Sequence, residues 1–316
     1  MKRRRSSGGG ESVDELVERG FTAISDGDLE QALTVAARLR ELRHSSCFEL
    51  EALAHEEAGD RDRALAVLDE GLGMAPGVWV LWQLRGNILS DTGDYDEARA
   101  SYEEALRCGE VDRGSVLYNL ALAEYRQGEL GAGLATLDRI GEPGDLRLRI
   151  EALRAGIELA GGDEGGARAR IEAALAGADP ARDDGEAIAS LHVHRGELLV
   201  DSDPDAARRE ALAALELDTV NDGALFLLRE VDGADSTTAR DFELLVAGEW
   251  TEQGLGFLRG FQVRAEDEDM ALALCAAVLP PAIRDSLRVE ECKPCADELG
   301  HRTGVYAASP YVYFDD

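Results

Sequence analysis

Side chains able to do chemistry are sparse, and the most suggestive group lies near the end of the chain. Cys292-Lys293-Pro294-Cys295 places two thiols at the spacing of a redox pair or half a zinc site, with His301 or Cys275 as further ligands. A thioredoxin-like pair opens a helix after a strand, and only one such pair exists here. Its proline therefore predicts a turn carrying incidental thiols. His192 and His194 are two apart in a segment of helical pattern, so they point to different faces and cannot chelate one ion as an i, i+4 pair would. Gly128-Glu129-Leu130-Gly131-Ala132-Gly133 has the glycines of a dinucleotide loop but no strand before it. A Walker-type phosphate loop needs a lysine after a Gly-rich turn, and the only lysines are Lys2 and Lys293. No Gly-x-Ser-x-Gly elbow and no His-Glu-x-x-His are present; the nearest run is His55-Glu56-Glu57-Ala58-Gly59. Acidic runs such as Glu266-Asp267-Glu268-Asp269 suit a helix start. These residues predict no enzyme, no cofactor and no resident metal.

Composition narrows the partners. With 64 acidic against 33 basic side chains and a formal charge of -31, the surface repels phosphate backbones and anionic lipid heads, so neither nucleic acid nor membrane is expected as a partner. Five cysteines, an odd number in a long chain, form no disulfide framework and point to the cytoplasm. Met1 to Gly10 is basic like the start of an export signal, but Glu11-Ser12-Val13-Asp14-Glu15 stands where an apolar stretch would have to follow. Residues 1–12 are thus expected to be a disordered basic tail. No segment approaches the roughly 18 consecutive apolar residues of a membrane span.

The elements that position everything else repeat with a period of about 34 residues, which signals a stacked array. In the clearest copy, Trp79 to Asp112, the fourth place is Trp82, the eighth Gly86 and the eleventh Leu89. Gly93-Asp94-Tyr95, Ala98, Tyr102 and Ala105-Leu106 follow in register. The preceding copy supplies Phe48, Ala52, Gly59-Asp60, Ala64, Leu68, Gly71-Leu72 and Pro76 in step. Weaker copies begin near Val13, Gly114 and Leu148, and a last one follows an Asp- and Gly-rich insert around Asp183-Asp184-Gly185. Small residues at the eighth and twentieth places, such as Gly86 with Ala98, let two helices approach closely. Gly-Asp between them ends one helix and starts the next. No unit buries a core alone, so stability is a sum of neighbour interfaces. This pattern resembles the tetratricopeptide repeat. It implies a mainly α protein, a tetratricopeptide-type α-solenoid of about six helix-pair repeats over residues 13–235, closed by a capping helix from Asp222 to Asp232.

The resemblance also implies a concave groove lined by the first helix of each repeat. In members of the family that grip the carboxylate end of a chaperone tail, paired asparagines and basic residues on successive repeats form a clamp. Asn87 matches the first asparagine, Asn119 the second, and Arg149 one basic place. Gln83 and Leu153 stand where other basic residues should be, with Arg126 and Arg154 nearby, so the clamp is incomplete. The contact set implied is Trp79, Gln83, Asn87, Asp91, Tyr118, Asn119, Leu122, Tyr125, Arg126 and Arg149. Asparagine amides both donate and accept, so they can hold an extended peptide backbone whatever its side chains.

Beyond Gly233 the composition shifts towards aromatics. Asp241 to Val246 and Phe257 to Val263 read as strands joined by a Gly-bearing turn, and Glu266 to Leu279 as a helix stopped by Pro280-Pro281. Leu287 to Glu291 and Tyr306 to Phe314 read as two further strands. Residues 236–316 are therefore expected to be a small α+β domain of order ββαββ. The functional expectation is a non-catalytic scaffold or adaptor that holds a peptide segment or helix of a partner protein in the groove. Residues 1–12 carry +3, 236–316 carry -8 and the array between them -26, which favours a basic or amphipathic partner. Two rivals remain: a regulatory or inhibitor-type protein whose C-terminal domain carries the specific binding with the repeats as spacer, and a thiol or zinc enzyme at Cys292 and Cys295. Sequence leaves the oligomeric state and the partner's identity open.

Overall fold

The structure is a computed structural model that describes residues 12–250 and 255–315. Nearly all of the expected basic tail, and the turn expected between the first two strands, lie outside the described residues. The chain divides into two compact units, the first ending at Pro143 and the second beginning at Gly144.

The described residues of the first unit form four helix pairs. These are α1 (Val13–Ser25) with α2 (Leu29–Glu41), α3 (Ser46–Glu57) with α4 (Arg61–Met74), α5 (Trp79–Thr92) with α6 (Tyr95–Arg107), and α7 (Arg113–Arg126) with α8 (Leu130–Leu137). Each pair turns the same way. Gly93 takes a left-handed φ of 86° that a side chain would resist, and the N–H of Asp94 returns to the carbonyl of Leu89 at 2.9 Å. The same geometry recurs at the Gly-Asp and Gly-Glu turns of the other pairs, and the carboxylates of Asp28 and Asp60 then cap the first N–H groups of α2 and α4.

Close packing explains the small residues. A Cβ added to Gly86 would stand 2.5 Å from the Tyr102 ring, and Ala98 is fully buried. The repeat's signature Trp82 donates its indole N–H to the carbonyl of Pro76 at 2.9 Å, pinning the loop between repeats. The fold therefore uses this tryptophan both as apolar bulk and as a tie.

The second unit holds two more pairs, α9 (Arg147–Ala160) with α10 (Glu164–Ala176) and α11 (Gly185–Glu197) with α12 (Pro204–Leu217), followed by the capping helix α13 (Asp222–Asp232). At the turn into α12, Pro204 at the first helical position and Asp203, which accepts from Ala206 N–H, start the helix in place of the Gly-Asp turn. A five-stranded antiparallel sheet follows: β1 (Arg240–Trp250), β2 (Leu255–Ala265), β3 (Arg288–Pro294), β4 (Gly304–Ala308) and β5 (Val312–Asp315). Helix α14 (Glu268–Ala277) and a 3-10 turn over Pro281–Ser286 lie between β2 and β3. The strand order is β3-β1-β2-β4, with β5 also on β2.

Two expectations are corrected here. The last predicted strand is two strands, because Pro310 has no N–H to continue the ladder and the chain breaks between Ala308 and Val312. Cys292-Lys293-Pro294 belongs to β3 rather than to a turn; among the described residues β3 pairs with β1 alone, and Pro294 closes it where an edge strand tolerates a missing donor.

Alternation along β1 and β2 turns Phe242, Leu244, Val246, Phe257, Phe261 and Val263 to one side. They share one apolar core with Ala271 and Cys275 of α14 and with Ala211, Leu215, Leu225 and Leu228 of α12 and α13. The core thus continues on both sides of residue 235, where the composition changes. Two arginines tie the sheet to the helices: Arg229 donates to the carbonyl of Val305 at 2.6 Å, and Arg259, only 3% exposed, donates to the carbonyls of Ser309 and Thr219. Among the described residues no carboxylate neutralises Arg259; carbonyl oxygens and the faces of Phe261 and Tyr311 compensate its charge.

Candidate functional site

In the first unit, α3, α5 and α7 line a cleft of about 350 Å³ formed by Leu53, Glu56, Leu84, Asn87, Ser90, Asp91, Tyr102, Asn119, Leu122 and Arg126. Five of the residues expected from sequence meet here: Asn87, Asp91, Asn119, Leu122 and Arg126. Their positions follow from helical spacing, since places nine and thirteen of one first helix and places six, nine and thirteen of the next fall on one face.

The two asparagines touch. Asn119 Nδ2 donates to Asn87 Oδ1 at 3.1 Å, and the Tyr102 hydroxyl donates to the same oxygen at 2.9 Å. Burial, with the charge of Asp91 adding to it, lifts the Tyr102 phenol well above its ordinary pKa, so the hydroxyl stays protonated and serves as donor. With its oxygen doubly occupied, Asn87 offers Nδ2 as a donor, and Asn119 offers Oδ1 as an acceptor.

The ionic groups are arranged differently from a carboxylate clamp. Arg126 donates to Asp91 at 2.7 Å, with Ser90 Oγ at 3.4 Å. Its guanidinium is therefore committed to an acid of the neighbouring repeat. Glu56, half-buried, has its pKa raised by burial first and then by the nearby charges of Asp91 and Glu57, against a lowering effect of Arg61.

The remaining candidates on α5 and α7 play other parts. Trp79 packs with Trp82, Tyr95 and Leu106 against an apolar cluster. Gln83 has a buried Oε1 with no hydrogen-bond partner. Tyr118 and Tyr125 are partly buried. Arg149 belongs to the second unit, where it donates to Asp184 and lies 3.6 Å from Glu186. Asp184 loses by burial but gains more from Arg149 and the N–H groups of Ala187 and Glu186, and its pKa is lowered. Asp184, from the Asp- and Gly-rich insert, is also the N-cap of α11, so the insert neutralises the one basic place that matched the clamp.

Sequence reasoning passed over Leu53 and Glu56, although they occupy the ninth and twelfth places of the preceding repeat. The rule that found Asn87 would have found them. It placed Tyr102 in register within the repeat, and the ring is buried in the core, but gave no sign that the hydroxyl reaches Asn87.

A larger cleft, about 500 Å³, lies in the second unit on the face of the sheet away from the core. Glu243, Leu245, Gly260, Gln262, Glu291, Lys293, Ala307 and Ser309 line it. Lys293 pairs with Glu243 at 3.2 Å.

The thiols do not meet. Cys292 stands opposite Leu244 and packs against the core, whereas Cys295 Sγ lies 3.8 Å from Glu243 on the other face. Three residues of extended chain separate their Cα atoms by about 10 Å, beyond disulfide reach. Burial and the neighbouring Glu268 raise the Cys292 pKa, and burial pushes Cys275 up to about 12, the reverse of thiol activation. His301 sits exposed in the loop before β4. Among the described residues no group of three or more His, Cys, Asp and Glu is placed to hold a metal, and no helix is long and apolar enough to cross a membrane.

Comparison with known proteins agrees with this geometry. The family profile described as tetratricopeptide repeat matches residues 49–113 and 84–145. Protein FlbA of Caulobacter vibrioides is 32% identical over 142 residues, covering 44% of this chain but only 21% of FlbA. The chain thus spans about a fifth of that curated relative's length. A tetratricopeptide repeat protein from Parabacteroides merdae superposes with a TM-score of 0.56 at 18% identity, over 72% of this chain and 87% of that one. A chain of the APC/C hetero-tetramer Cut9-Hcn1 gives a TM-score of 0.56 at 14% identity, over 70% of this chain and 43% of that one. These two likenesses concern the fold. The profile match identifies tetratricopeptide repeats within residues 49–145, and the left-handed Gly turns and helix pairs among the described residues give the chain a tetratricopeptide-like, mainly α architecture with a small antiparallel sheet at its C-terminal end.

Proposed function

We propose that the cleft between α3, α5 and α7 binds an extended segment of a partner protein and that the chain acts as a non-catalytic adaptor. The observation that carries this reading is the Asn87–Asn119 hydrogen bond. It leaves one amide donor and one amide acceptor side by side, the complement of a single peptide unit, and it fixes both side chains before anything binds. Such preorganisation spares the entropy of ordering them. Because Arg126 is engaged by Asp91, the cleft suits a backbone better than a free carboxylate. The charge of -31 favours a basic or amphipathic partner, whose association weakens as salt rises.

The test is selection of displayed, random-sequence short peptides on the full chain. Selected peptides are expected to bind the wild-type chain and the Glu103→Ala control and to lose affinity for Asn119→Ala. Equal binding to Asn119→Ala would remove the cleft from consideration.

The outer face of the sheet supports a second reading, in which the C-terminal region carries a contact surface of its own. Its motivation is the 500 Å³ cleft, whose floor is kept open by Gly260 and Ala307. Peptides selected on the full chain that respond to Gly260→Leu but not to Asn119→Ala would favour it.

A further inference from the structure

The inference drawn here rests on the groove reading above and names the side chain that the groove selects. Glu56 reaches the cleft from α3 and Asp91 from α5, close enough for the charge of one to raise the pKa of the other. Their circumstances differ. Asp91 is held by Arg126, whereas no hydrogen bond reaches the Glu56 carboxylate among the described residues. Glu56 is nevertheless half-buried, so it has given up part of its hydration with no donor in return. The lining of the cleft therefore contains two carboxylates and one guanidinium, and Arg61, outside the lining, offsets the charge at Glu56 only in part.

Two further features lie beside this imbalance. Leu53 and Leu122 give the cleft an apolar wall that the methylene stem of a long side chain can cover. Asn87 and Asn119 supply the backbone contacts that set such a side chain in register. Stem, head and backbone each find a partner within one volume of about 350 Å³.

We propose that the cleft selects a lysine or arginine of an extended partner segment, its stem along Leu53 and Leu122 and its charged head between Glu56 and Asp91, while the asparagine pair holds the adjacent backbone. Arg126 then acts as an internal counter-charge that keeps Asp91 in place until the partner's cation arrives. The requirement is for one cation at one place, which is narrower than a general preference for basic partners.

The experiment starts from random-sequence short peptides selected on the full chain. Enriched peptides are expected to share one Lys or Arg at a fixed place. Replacing it by norleucine should weaken binding about tenfold, and Glu56→Gln should remove most of that difference. Glu56→Lys should lose the cationic peptide and gain its counterpart with Glu at the same place, a swap that misfolding cannot imitate. Peptides that depend on Asn119 but share no cation would overturn the charge proposal and leave the groove reading standing. Peptides indifferent to Asn119 would overturn both.

Discussion

Asn119 Nδ2 and the Tyr102 hydroxyl converge on one atom, Asn87 Oδ1, at 3.1 and 2.9 Å. A single oxygen thus joins three helices, and its two roles can be separated. Asn87→Ala strands the hydroxyl of Tyr102, a residue 1% exposed, and should cost about 1–3 kcal/mol of stability. Asn87→Asp keeps the acceptor and replaces the donor facing the cleft by a carboxylate oxygen, which adds a charge beside Asp91 and Glu56. It should lose less stability than Asn87→Ala in urea denaturation yet lose peptide binding as fully. Asn87→Asp binding peptides like wild type would show that Nδ2 is not used.

Glycines in this chain are not equivalent. Gly86→Ala forces a methyl to within 2.5 Å of the Tyr102 ring and should destabilise by about 1–3 kcal/mol. Gly131, inside α8, has open space at its Cβ and no left-handed backbone, so Gly131→Ala should stabilise by about 0.5–1 kcal/mol through helix propensity. Thermal melts of the two variants should move in opposite directions.

The shared core of the second unit makes a prediction about fragments. A piece spanning 236–316 would lose Ala211, Leu215, Leu225 and Leu228 from beneath Phe242 and Leu244, and the arginine tie from Arg229 to Val305. A piece spanning 144–316 keeps them. The longer piece should melt cooperatively, whereas the shorter should show no cooperative transition by circular dichroism. A cooperative melt of 236–316 would mean the sheet and α14 suffice as a core.

Glu210 gives the second unit an acid limit. Burial opposes its ionisation, but hydrogen bonds from His192 and Arg195 outweigh that, and its folded pKa is lowered. A depressed folded pKa contributes stability that is present above the ordinary glutamate value and lost as pH falls through the folded one. Denaturation below that ordinary value should therefore show declining stability. Glu210→Gln should be less stable than wild type at neutral pH and should decline less steeply on acidification.

The repeat was legible because its constraints are local: a left-handed Gly, a capping acid and a small residue where helices cross all leave a mark at fixed spacing. Asn87 and Asn119 were legible for the same reason, as places on a face. What those places did not reveal is how side chains pair across repeats. That Arg126 closes on Asp91, that Tyr102 sends its hydroxyl out of the core to Asn87, and that Asp184 meets Arg149 depend on rotamers and on an insert, which have no period. Cys292 was misplaced in a turn because Pro294 outweighed the strand pattern before it. The unpaired side of an edge strand supplies the tolerance that sequence alone could not show. The aromatic shift after Gly233 marked the sheet, but composition cannot show that helices upstream complete its core.

Glu56 is where binding and stability should oppose one another. Its folded pKa is raised, by burial and then by Asp91 and Glu57, so it favours folding only while protonated. That contribution is full below the ordinary glutamate pKa and is lost as pH rises through the raised folded value, leaving a charged carboxylate that burial penalises. Glu56→Gln removes the charge and keeps the shape. Its melting temperature should therefore exceed that of wild type at neutral pH, and the gap should close on acidification towards the ordinary glutamate value. A site residue that costs the free fold stability is expected where a ligand supplies the missing partner. If a bound cationic peptide raises the wild-type melting temperature but leaves Glu56→Gln nearly unchanged, the cost and the selectivity belong to the same carboxylate. A variant less stable than wild type at neutral pH would mean that Glu56 is already compensated within the fold.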